Sequence, residues 1–234
     1  MTAPGIKFFS TTAHACSYLP GKQAVTLFAD PKTNMDRRLY TDLSDLGFRR
    51  SGNYVYRPHC GSCQACVAIR IPVDRFEPNR QQLRVWKKNQ DLNVLVCDAR
   101  FREEHYELYE HYINARHYDG DMYPPSVEQY ASFLTSDWSE TCFVEFRLDG
   151  KLLAVAVCDE LENGLSAVYT FYDPDYEKRS LGTFAILWQI EETRRRQLHS
   201  LYLGYWIRDC QKMSYKIAFR PIELLINGEW LAAR

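Results

Sequence analysis

The sequence predicts an α+β protein whose mixed, largely antiparallel sheet is flanked by helices. Two dipeptides, Asp149-Gly150 and Asn163-Gly164, separate runs rich in apolar and β-branched residues, and such pairs tolerate the positive φ angles of a tight hairpin turn. Three consecutive antiparallel strands are therefore expected over Cys142–Leu148, Leu152–Cys158 and Ser166–Phe171. An amphipathic helix over Leu181–Arg196 and a strand over Leu201–Tyr205 complete the pattern.

Weaker signals place the remaining elements. Arg102–Arg116 has the apolar stripe of a helix, and Ser126 is positioned to cap a helix that ends at Leu134. Short apolar runs predict strands over Val94–Cys97 and Ile222–Ile226. Because residues 1–90 are loop-rich and punctuated by prolines, we divide the chain into a Cys-rich N-terminal region, 1–90, and a regular region, 91–234, on which the first is partly packed.

Composition limits the class of protein. The 234 residues are 46% hydrophobic, which is enough to bury a substantial core. No run approaches the roughly 18 apolar residues of a membrane span, and Met1–Ser10 lacks the charged start and apolar stretch of a secretory signal. A cytoplasmic location is expected. The net charge of −1 gives no overall basic field that would indicate a nucleic-acid binder.

One local stretch is nevertheless basic. Arg80, Arg84, Lys87 and Lys88 fall at helical spacing and would form a single ridge. Such a ridge is either an ordinary solvated helix face or a surface that contacts phosphates without reading base sequence. Both interpretations remain open at this point.

Three cysteines lie within seven residues, at Cys60, Cys63 and Cys66. This spacing lets several thiolates converge on one point, so the segment can hold a metal or an iron–sulfur cluster, or can instead fix a short polar loop. Four further cysteines stand in apolar contexts and are predicted to belong to the core: Cys97, Cys142, Cys158 and Cys210.

The order of a meander, a helix and a following strand resembles the acyltransferase fold of the GNAT N-acetyltransferases. In that fold a tight loop leads into a helix whose exposed N–H groups bind a phosphate chain. The corresponding loop here is Lys178–Phe184, which keeps Arg179 and Gly182 of the acetyl-CoA motif. Phe184 replaces the last small residue, and we expect its ring to crowd the site of a pyrophosphate.

A closer resemblance covers residues 7–230. The strings Tyr56–Cys60, Asp119–Pro124, Tyr172–Asp175, Tyr202–Tyr205 and Lys212–Lys216, together with Cys16, are similar to the aminoacyl-tRNA–protein transferases. The short length and the cysteine run resemble the bacterial aspartate/glutamate leucyltransferases. This resemblance implies transfer of an amino acid, leucine in this branch, from aminoacyl-tRNA to proteins with N-terminal Asp or Glu. The product carries a destabilising N-terminus and is degraded through the N-degron pathway.

The resemblance also implies a groove between two diverging strands in which the two reactants meet. Asp173 is expected to hold the incoming α-ammonium and accept its proton, unless it is only a turn residue. Tyr172 and Tyr169 lie three positions apart on the strand before it, so one of them should face the site. No covalent intermediate is required, and no cofactor is needed for transfer.

Two further sets of residues are assigned to the tRNA end. Arg179, Ser180 and the amides of Gly182 and Thr183 are expected to contact the terminal adenosine phosphate, with a plain helix start as the alternative. Tyr205 and Trp206 are expected to wall the pocket for the transferred side chain, although aromatic residues at strand spacing commonly belong to a core.

The acidic N-terminus of the protein substrate calls for a cation, and Arg57 is the first choice because its planar fork matches a carboxylate. His59 is expected to assist. By resemblance, Cys16 and Cys60 correspond to positions implicated in metal or cluster binding, with Cys63 and Cys66 as the other ligands. The chain departs from the eukaryotic pattern because Leu19 stands where a cysteine is expected.

Three alternatives remain. Arginine could be the transferred residue, although no buried carboxylate for it can be located in the sequence. The chain could be an acetyl-CoA-dependent N-acetyltransferase, against which Phe184 argues, or a cysteine-rich metal sensor without catalytic activity.

Overall fold

The computed structural model describes residues 5–233, so the first four residues of the Met1–Ser10 stretch lie outside it. The strands in this range are β1 (Phe8–Ser10), β2 (His14–Ala15), β3 (Gln23–Ala24), β4 (Thr26–Ala29), β5 (Arg49–Ser51), β6 (Tyr54–Pro58), β7 (Val67–Pro72), β8 (Asn93–Asp98), β9 (Thr141–Leu148), β10 (Lys151–Glu160), β11 (Gly164–Tyr172), β12 (Ser200–Trp206), β13 (Ile222–Ile226) and β14 (Glu229–Ala233). The helices are α1 (Arg37–Asp45), α2 (Arg80–Lys88), α3 (Glu103–Arg116), α4 (Val127–Leu134) and α5 (Leu181–Arg195). Short 3₁₀ segments span Val73–Arg75, Pro174–Arg179 and Gln211–Ala218. None of the described helices is both long and apolar enough to cross a membrane.

Eight strands form one large mixed sheet in the order β14-β13-β7-β12-β11-β10-β9-β8. Its only parallel pair joins β11 to β12 among the residues described. A second sheet has the order β1-β4-β6-β5, and β2 pairs with β3. The predicted meander of three antiparallel strands is confirmed as β9, β10 and β11.

The two predicted turns differ in their physical basis. Asp149 and Gly150 have φ angles of 50° and 88°, as a tight hairpin requires. Neither Asn163 nor Gly164 is among the residues with positive φ, so the tight-turn argument is wrong for this pair. Gly164 is required for a different reason: a Cβ there would lie 2.2 Å from the carbonyl oxygen of Ser200 on the neighbouring strand.

Helix ends follow local capping chemistry. The hydroxyl of Ser126 accepts a hydrogen bond from the N–H of Gln129, 3.1 Å away, and begins α4 as predicted. Helix α2 begins with a reciprocal capping box between Asn79 and Gln82.

Hydrophobic clusters cover both faces of the large sheet. Along β9, Phe143 packs with residues of α3 and α4, whereas its neighbour Val144 packs with residues of α2 and α5. This alternation is expected where successive side chains of a strand point to opposite faces. The predicted mixed sheet flanked by helices is therefore confirmed.

Phe184 belongs to the cluster on the α5 face. Its ring is 3% exposed and lies 5.5 Å from the ring of Trp86 and 5.4 Å from that of Phe146. The expectation that it crowds the loop before α5 is wrong, because the ring points into the core.

The N-terminal region shares structure with the rest of the chain. Strand β7 lies inside the large sheet, between β13 and β12. In addition, the fully buried guanidinium of Arg50 on β5 pairs with both oxygens of Asp159 on β10, at 2.7 and 2.8 Å. The ion pair thereby joins the two sheets. The division of the chain into regions 1–90 and 91–234 stays a prediction.

Candidate active site between two diverging strands

Strands β11 and β12 separate soon after they begin. They pair only over three residues each, Gly164–Ser166 with Ser200–Tyr202, although β11 continues to Tyr172 and β12 to Trp206. Just past this point each strand has a bulge. Val168 on β11 has no partner on β10, and Leu203 on β12 has no partner on β7. Such bulges bend a strand, and the divergence that the sequence led us to expect is present.

Arg49 occupies the vertex where the strands part. Its guanidinium donates to the hydroxyl of Ser166 at 3.0 Å and to the carbonyl of Ala167 on β11, and also to the carbonyl of Tyr202 on β12 at 3.4 Å. Gly204 lies beside it on β12 and has a φ of 77°, a conformation that favours glycine. Arg49 is 9% exposed.

Lys216 lies farther along the opened edge of β12. Its Nζ donates to the carbonyls of Leu203 and Tyr205, each at 2.8 Å. Burial, with a smaller contribution from the charge of Arg49, lowers the pKa of Lys216 to about 7. Within residues 5–233, neither Lys216 nor Arg49 forms an ion pair with a carboxylate.

Tyr215, the residue before Lys216, has half of its surface accessible. Burial, with a further contribution from Tyr172, raises the pKa of Tyr215 to about 12, and Arg49 opposes that shift.

The β11 side of the groove carries the predicted tyrosines. The ring of Tyr172 lies 4.8 Å from that of Tyr112 and directly against Gly182, where a Cβ would be 3.2 Å from the ring. Tyr169 packs against the rings of Tyr112 and Phe133. Its hydroxyl is buried and has no hydrogen-bond partner among residues 5–233, and burial raises the pKa of Tyr169 well above the usual value.

Asp173 follows β11 and is 5% exposed. One oxygen accepts from Nζ of Lys151 at 2.9 Å and the other from the N–H of Asp175 at 3.0 Å. His111 is nearby, with Nε2 3.9 Å from the carboxylate. Asp173 is thus a turn residue as well as the carboxylate nearest to the end of β11.

The loop before α5 lies beside Tyr172. Both ends of the Arg179 fork pair with the carboxylate of Asp91, at 2.9 and 2.8 Å, so the guanidinium is already occupied. Ser180 is exposed, adopts a left-handed conformation with φ 53°, and makes no side-chain cap. Gly182 and Thr183 are partly exposed in the first turn of α5.

Helix α2 is attached to this loop. Nζ of Lys88 donates to the carbonyl of Lys178 at 2.7 Å, and the amide of Asn89 donates to the carbonyl of Arg179 at 2.9 Å. The other three residues of the basic ridge, Arg80, Arg84 and Lys87, are exposed and form no ion pair within the described chain. The ridge thus continues from the loop at the mouth of the groove.

The four predicted thiols line one cavity of about 600 Å³, together with His59 and Tyr205. Burial, assisted by the neighbouring Cys16, Cys60 and Cys63, raises the pKa of Cys66 to about 11. Cys60 also accepts the N–H of Val25 at 3.5 Å.

Cys210 is only half-buried, and it is one of the neighbours that contribute to the raised pKa of Cys66. The prediction that it lies in the core is wrong. Cys97 is also only half-buried and donates to Glu145. Glu145 is held by Arg102, His105 and Arg147 at 2.6–2.8 Å, an ion network in which the positive charge is already supplied.

The remaining predicted residues lie close to these features. Tyr205 is buried, and its hydroxyl donates to the carbonyl of Gly47 at 2.7 Å. Trp206 packs on the core cluster of the α5 face. Arg57 donates to the carbonyl of Leu46 at 3.1 Å and lies over the ring of Phe48. His59 is exposed at the rim of the cysteine cavity.

Family models identify the class of protein. The model described as "Arginine-tRNA-protein transferase, C terminus" matches residues 104–226, and the model for the N terminus matches residues 14–84. The chain therefore belongs to the arginine-tRNA-protein transferase family, and it is an aminoacyltransferase.

The relatives define the branch. The chain is 60% identical over 226 residues to the aspartate/glutamate leucyltransferase of Pseudomonas putida KT2440, covering 97% of this chain and 96% of the relative. It is 60% identical over 227 residues to that of Pseudomonas paraeruginosa PA7, covering 97% of each. The predicted resemblance to the bacterial branch is confirmed.

A solved structure shares the fold. The crystal structure described as "C-terminal Domain (DUF2156) of Putative Lysylphosphatidylglycerol Synthetase from Agrobacterium fabrum" superposes on this chain with a TM-score of 0.50 at 13% identity. The match covers 81% of this chain and 61% of that one, and at this identity it speaks only to the fold.

Sequence reasoning missed Arg49 and Lys216. Lys216 stands within the string Lys212–Lys216 that carried the family resemblance, so a signal existed without a role attached. Arg49 had no such signal, because its position at the vertex depends on the pairing of β5 in the second sheet.

Proposed function

We propose that this protein transfers leucine from leucyl-tRNA to the α-amine of proteins that begin with Asp or Glu. The observation that carries the proposal is 60% identity over 97% of the chain to aspartate/glutamate leucyltransferases. The diverging strands β11 and β12 support it, since they leave an opening next to a helix N-terminus, as in the GNAT-like acyltransferase fold. The reaction would mark cytoplasmic proteins for degradation through the N-degron pathway.

The chemistry requires little beyond positioning and one proton transfer. The ester of the tRNA is already activated, and holding the two reactants together can supply roughly 7–11 kcal/mol. We propose that Asp173 holds the incoming ammonium and accepts its proton, with Tyr172 shaping the site. The hydroxyl of Tyr169, which has no partner among the described residues, is a candidate hydrogen-bond donor. It would donate to the ester oxygen as negative charge develops there in the transition state.

The tRNA end would lie over the loop before α5. The N–H groups of Gly182 and Thr183, with the hydroxyl of Ser180, would face the terminal phosphate at the positive end of the helix dipole. Because Arg179 is paired with Asp91, its proposed part is to hold this loop in place. Upstream phosphates would follow the basic ridge of α2.

Tyr205 and Trp206 are neighbours on β12, so their side chains point to opposite faces of the strand, and only one of them can line the proposed leucine pocket. Arg57 and His59 remain candidates for the acidic N-terminus. Arg57 retains unused donors, since only one of its N–H groups has a partner within the described residues.

We further propose that Cys16, Cys60, Cys63 and Cys66 hold a zinc ion or an iron–sulfur cluster. Convergence of the four thiols on one cavity supports it. No three of these sulfurs lie within 4.8 Å of one another among the described residues, so the thiols would have to move closer together to bind a single tetrahedral ion. Metal, iron and sulfide analysis of the purified chain and of a Cys63→Ser variant would test the assignment, and equal contents in both would contradict it.

The decisive experiment presents Leu-tRNA and Arg-tRNA separately to peptides that differ only in their first residue. Leucine incorporation is expected with Asp or Glu at that position and not with Ala, and it should vanish when the peptide amine is acetylated. Arginine incorporation instead would identify the arginyl branch. Turnover with acetyl-CoA, or none with either tRNA, would contradict the proposal.

A further inference from the structure

We propose that Lys216 is the specificity-determining residue that binds the side-chain carboxylate of the substrate's N-terminal Asp or Glu, in the opening between β11 and β12 whose inner end is occupied by Arg49. The inference rests on the proposed function and assigns a residue to the recognition step. It differs from the assignment to Arg57 and can be separated from it.

The first argument is the missing counter-charge. Two cations bond to neighbouring carbonyls of β12, Arg49 to that of Tyr202 and Lys216 to that of Leu203. Arg49 is 9% exposed and Lys216 is half-buried, and neither forms an ion pair in the part of the chain described. Burying charges without a partner is costly, so buried charges in proteins are normally paired. The arrangement is therefore complementary to an anion that residues 5–233 do not provide.

The second argument concerns the donors that remain. The contacts of Arg49 to Ser166, Ala167 and Tyr202 use three of its five N–H donors and hold it at the vertex. An ammonium group has three N–H donors, and Lys216 uses two of them on Leu203 and Tyr205, farther along β12. Its third donor has no partner among the described residues. Because Lys216 lies farther from the vertex than Arg49, it is the contacting group, and Arg49 adds charge from behind.

The third argument distinguishes a carboxylate from a tRNA phosphate. The pair lies at and just beyond the vertex, where β11 and β12 have only begun to separate. A carboxylate on a one- or two-carbon side chain can reach the point where two strands begin to separate, whereas a phosphate is embedded in a much wider chain. Basic side chains that could contact phosphates lie instead on the exposed face of α2, where Arg80, Arg84 and Lys87 form no ion pair with the described residues.

A purely structural role is the competing explanation, because both cations satisfy carbonyl groups that a closed sheet would have paired. The experiment must therefore read out substrate preference rather than activity alone. Lys216→Met removes the charge and keeps the length of the side chain. Lys212→Met is the matched control, since Lys212 lies on the same 3₁₀ segment but is exposed and paired with Asp119.

Steady-state kinetics would use the full chain, Leu-tRNA, and peptides beginning with Asp or with the uncharged Asn. Loss of a charged hydrogen bond should raise the KM for the Asp peptide about 10- to 100-fold in Lys216→Met, with the KM for Leu-tRNA unchanged. The preference for Asp over Asn should collapse, and Lys212→Met should behave as wild type. Lys216→Arg should recover part of the preference.

A second measurement uses the wild-type enzyme without tRNA, so its result does not depend on whether a variant folds correctly. Peptides with a dimethylated, unreactive amine should protect Lys216 from an amine-labelling reagent when they begin with Asp but not when they begin with Asn. Four results would overturn the inference. Lys216→Met could keep the preference for Asp, or it could raise the KM for Leu-tRNA instead of that for the peptide. The preference could also be lost only in Arg57→Ala, or Lys216 could be labelled equally in the presence of both peptides. Absence of Asp-dependent transfer by wild type, with protection intact, would count against the proposed function alone.

Discussion

Asp173 combines a structural and a chemical contact in one buried carboxylate. One oxygen holds the turn through the N–H of Asp175, and the other faces Nζ of Lys151. An Asn side chain can keep the first contact because its carbonyl oxygen also accepts a hydrogen bond. Substitution by Asn therefore separates the charge from the turn.

In Asp173→Asn, we expect single-turnover leucine transfer to slow by about 10²- to 10⁴-fold, the usual contribution of a positioned proton acceptor. Asp175→Asn is the control, because Asp175 is exposed in the same turn. Thermal unfolding of both variants would show whether the fold is retained. A reduction of less than about threefold in Asp173→Asn would leave this residue with its turn role only.

Single residues were predictable where neighbouring sequence determines their environment. The spacing of Cys60, Cys63 and Cys66 is local, and the three thiols do share a cavity. Arg49 and Lys216 come from distant parts of the chain, and they meet only after both sheets have formed. Sequence reasoning had no means of bringing them together.

The same distinction holds for whole elements. The β9–β10 hairpin was predictable because a two-residue turn fixes it. The four-stranded sheet was not, because β1, β4, β5 and β6 are short, and β4 pairs with β6 across the intervening α1. Helix α2 was anticipated as a basic ridge, but its attachment to the loop before α5 became visible only in the structure.

That attachment leads to a prediction for α2. Reversing two exposed charges in Arg84→Glu/Lys87→Glu should raise the KM for Leu-tRNA and leave the KM for the peptide unchanged, because only phosphate contacts are lost. The slope of log affinity for tRNA against log salt concentration should fall by about 1 for each contact removed.

Arg195→Glu serves as the control for this charge reversal. Arg195 lies in the last turn of α5, roughly 20 Å along the helix from the loop at its beginning, and it is already paired with Glu192. Equal weakening of tRNA binding in the control, or none in the α2 variant, would show that the ridge is an ordinary solvated face.

At the scale of the molecule, one strand couples the stability of the fold to the site. On β5, Arg50 is anchored by Asp159 in the large sheet, while its neighbour Arg49 reaches the opening between β11 and β12. Adjacent strand residues point to opposite sides. The buried pair therefore fixes the strand that carries the cation at the vertex, and Lys216 lies next to that cation.

The pH dependence of the whole reaction follows from this proximity. Burial and the charge of Arg49 lower the pKa of Lys216 to about 7, with Cys210 acting in the opposite direction. A bound carboxylate would raise that pKa again. The cation is present below about pH 7 and lost above it, so the KM for an Asp peptide should rise up to tenfold per pH unit on the alkaline side.

The peptide amine titrates in the other sense. Its pKa in solution is about 7.7–8.0 and only the neutral form attacks, so this ionisation should raise kcat/KM over the same range. A bell-shaped profile of kcat/KM near neutrality is expected from the two opposed steps. In Lys216→Arg, whose guanidinium stays charged, the alkaline rise in KM should disappear, while an Asn peptide should show no such rise with either enzyme. If the rise persisted in Lys216→Arg, the group that titrates would have to be sought elsewhere in the groove.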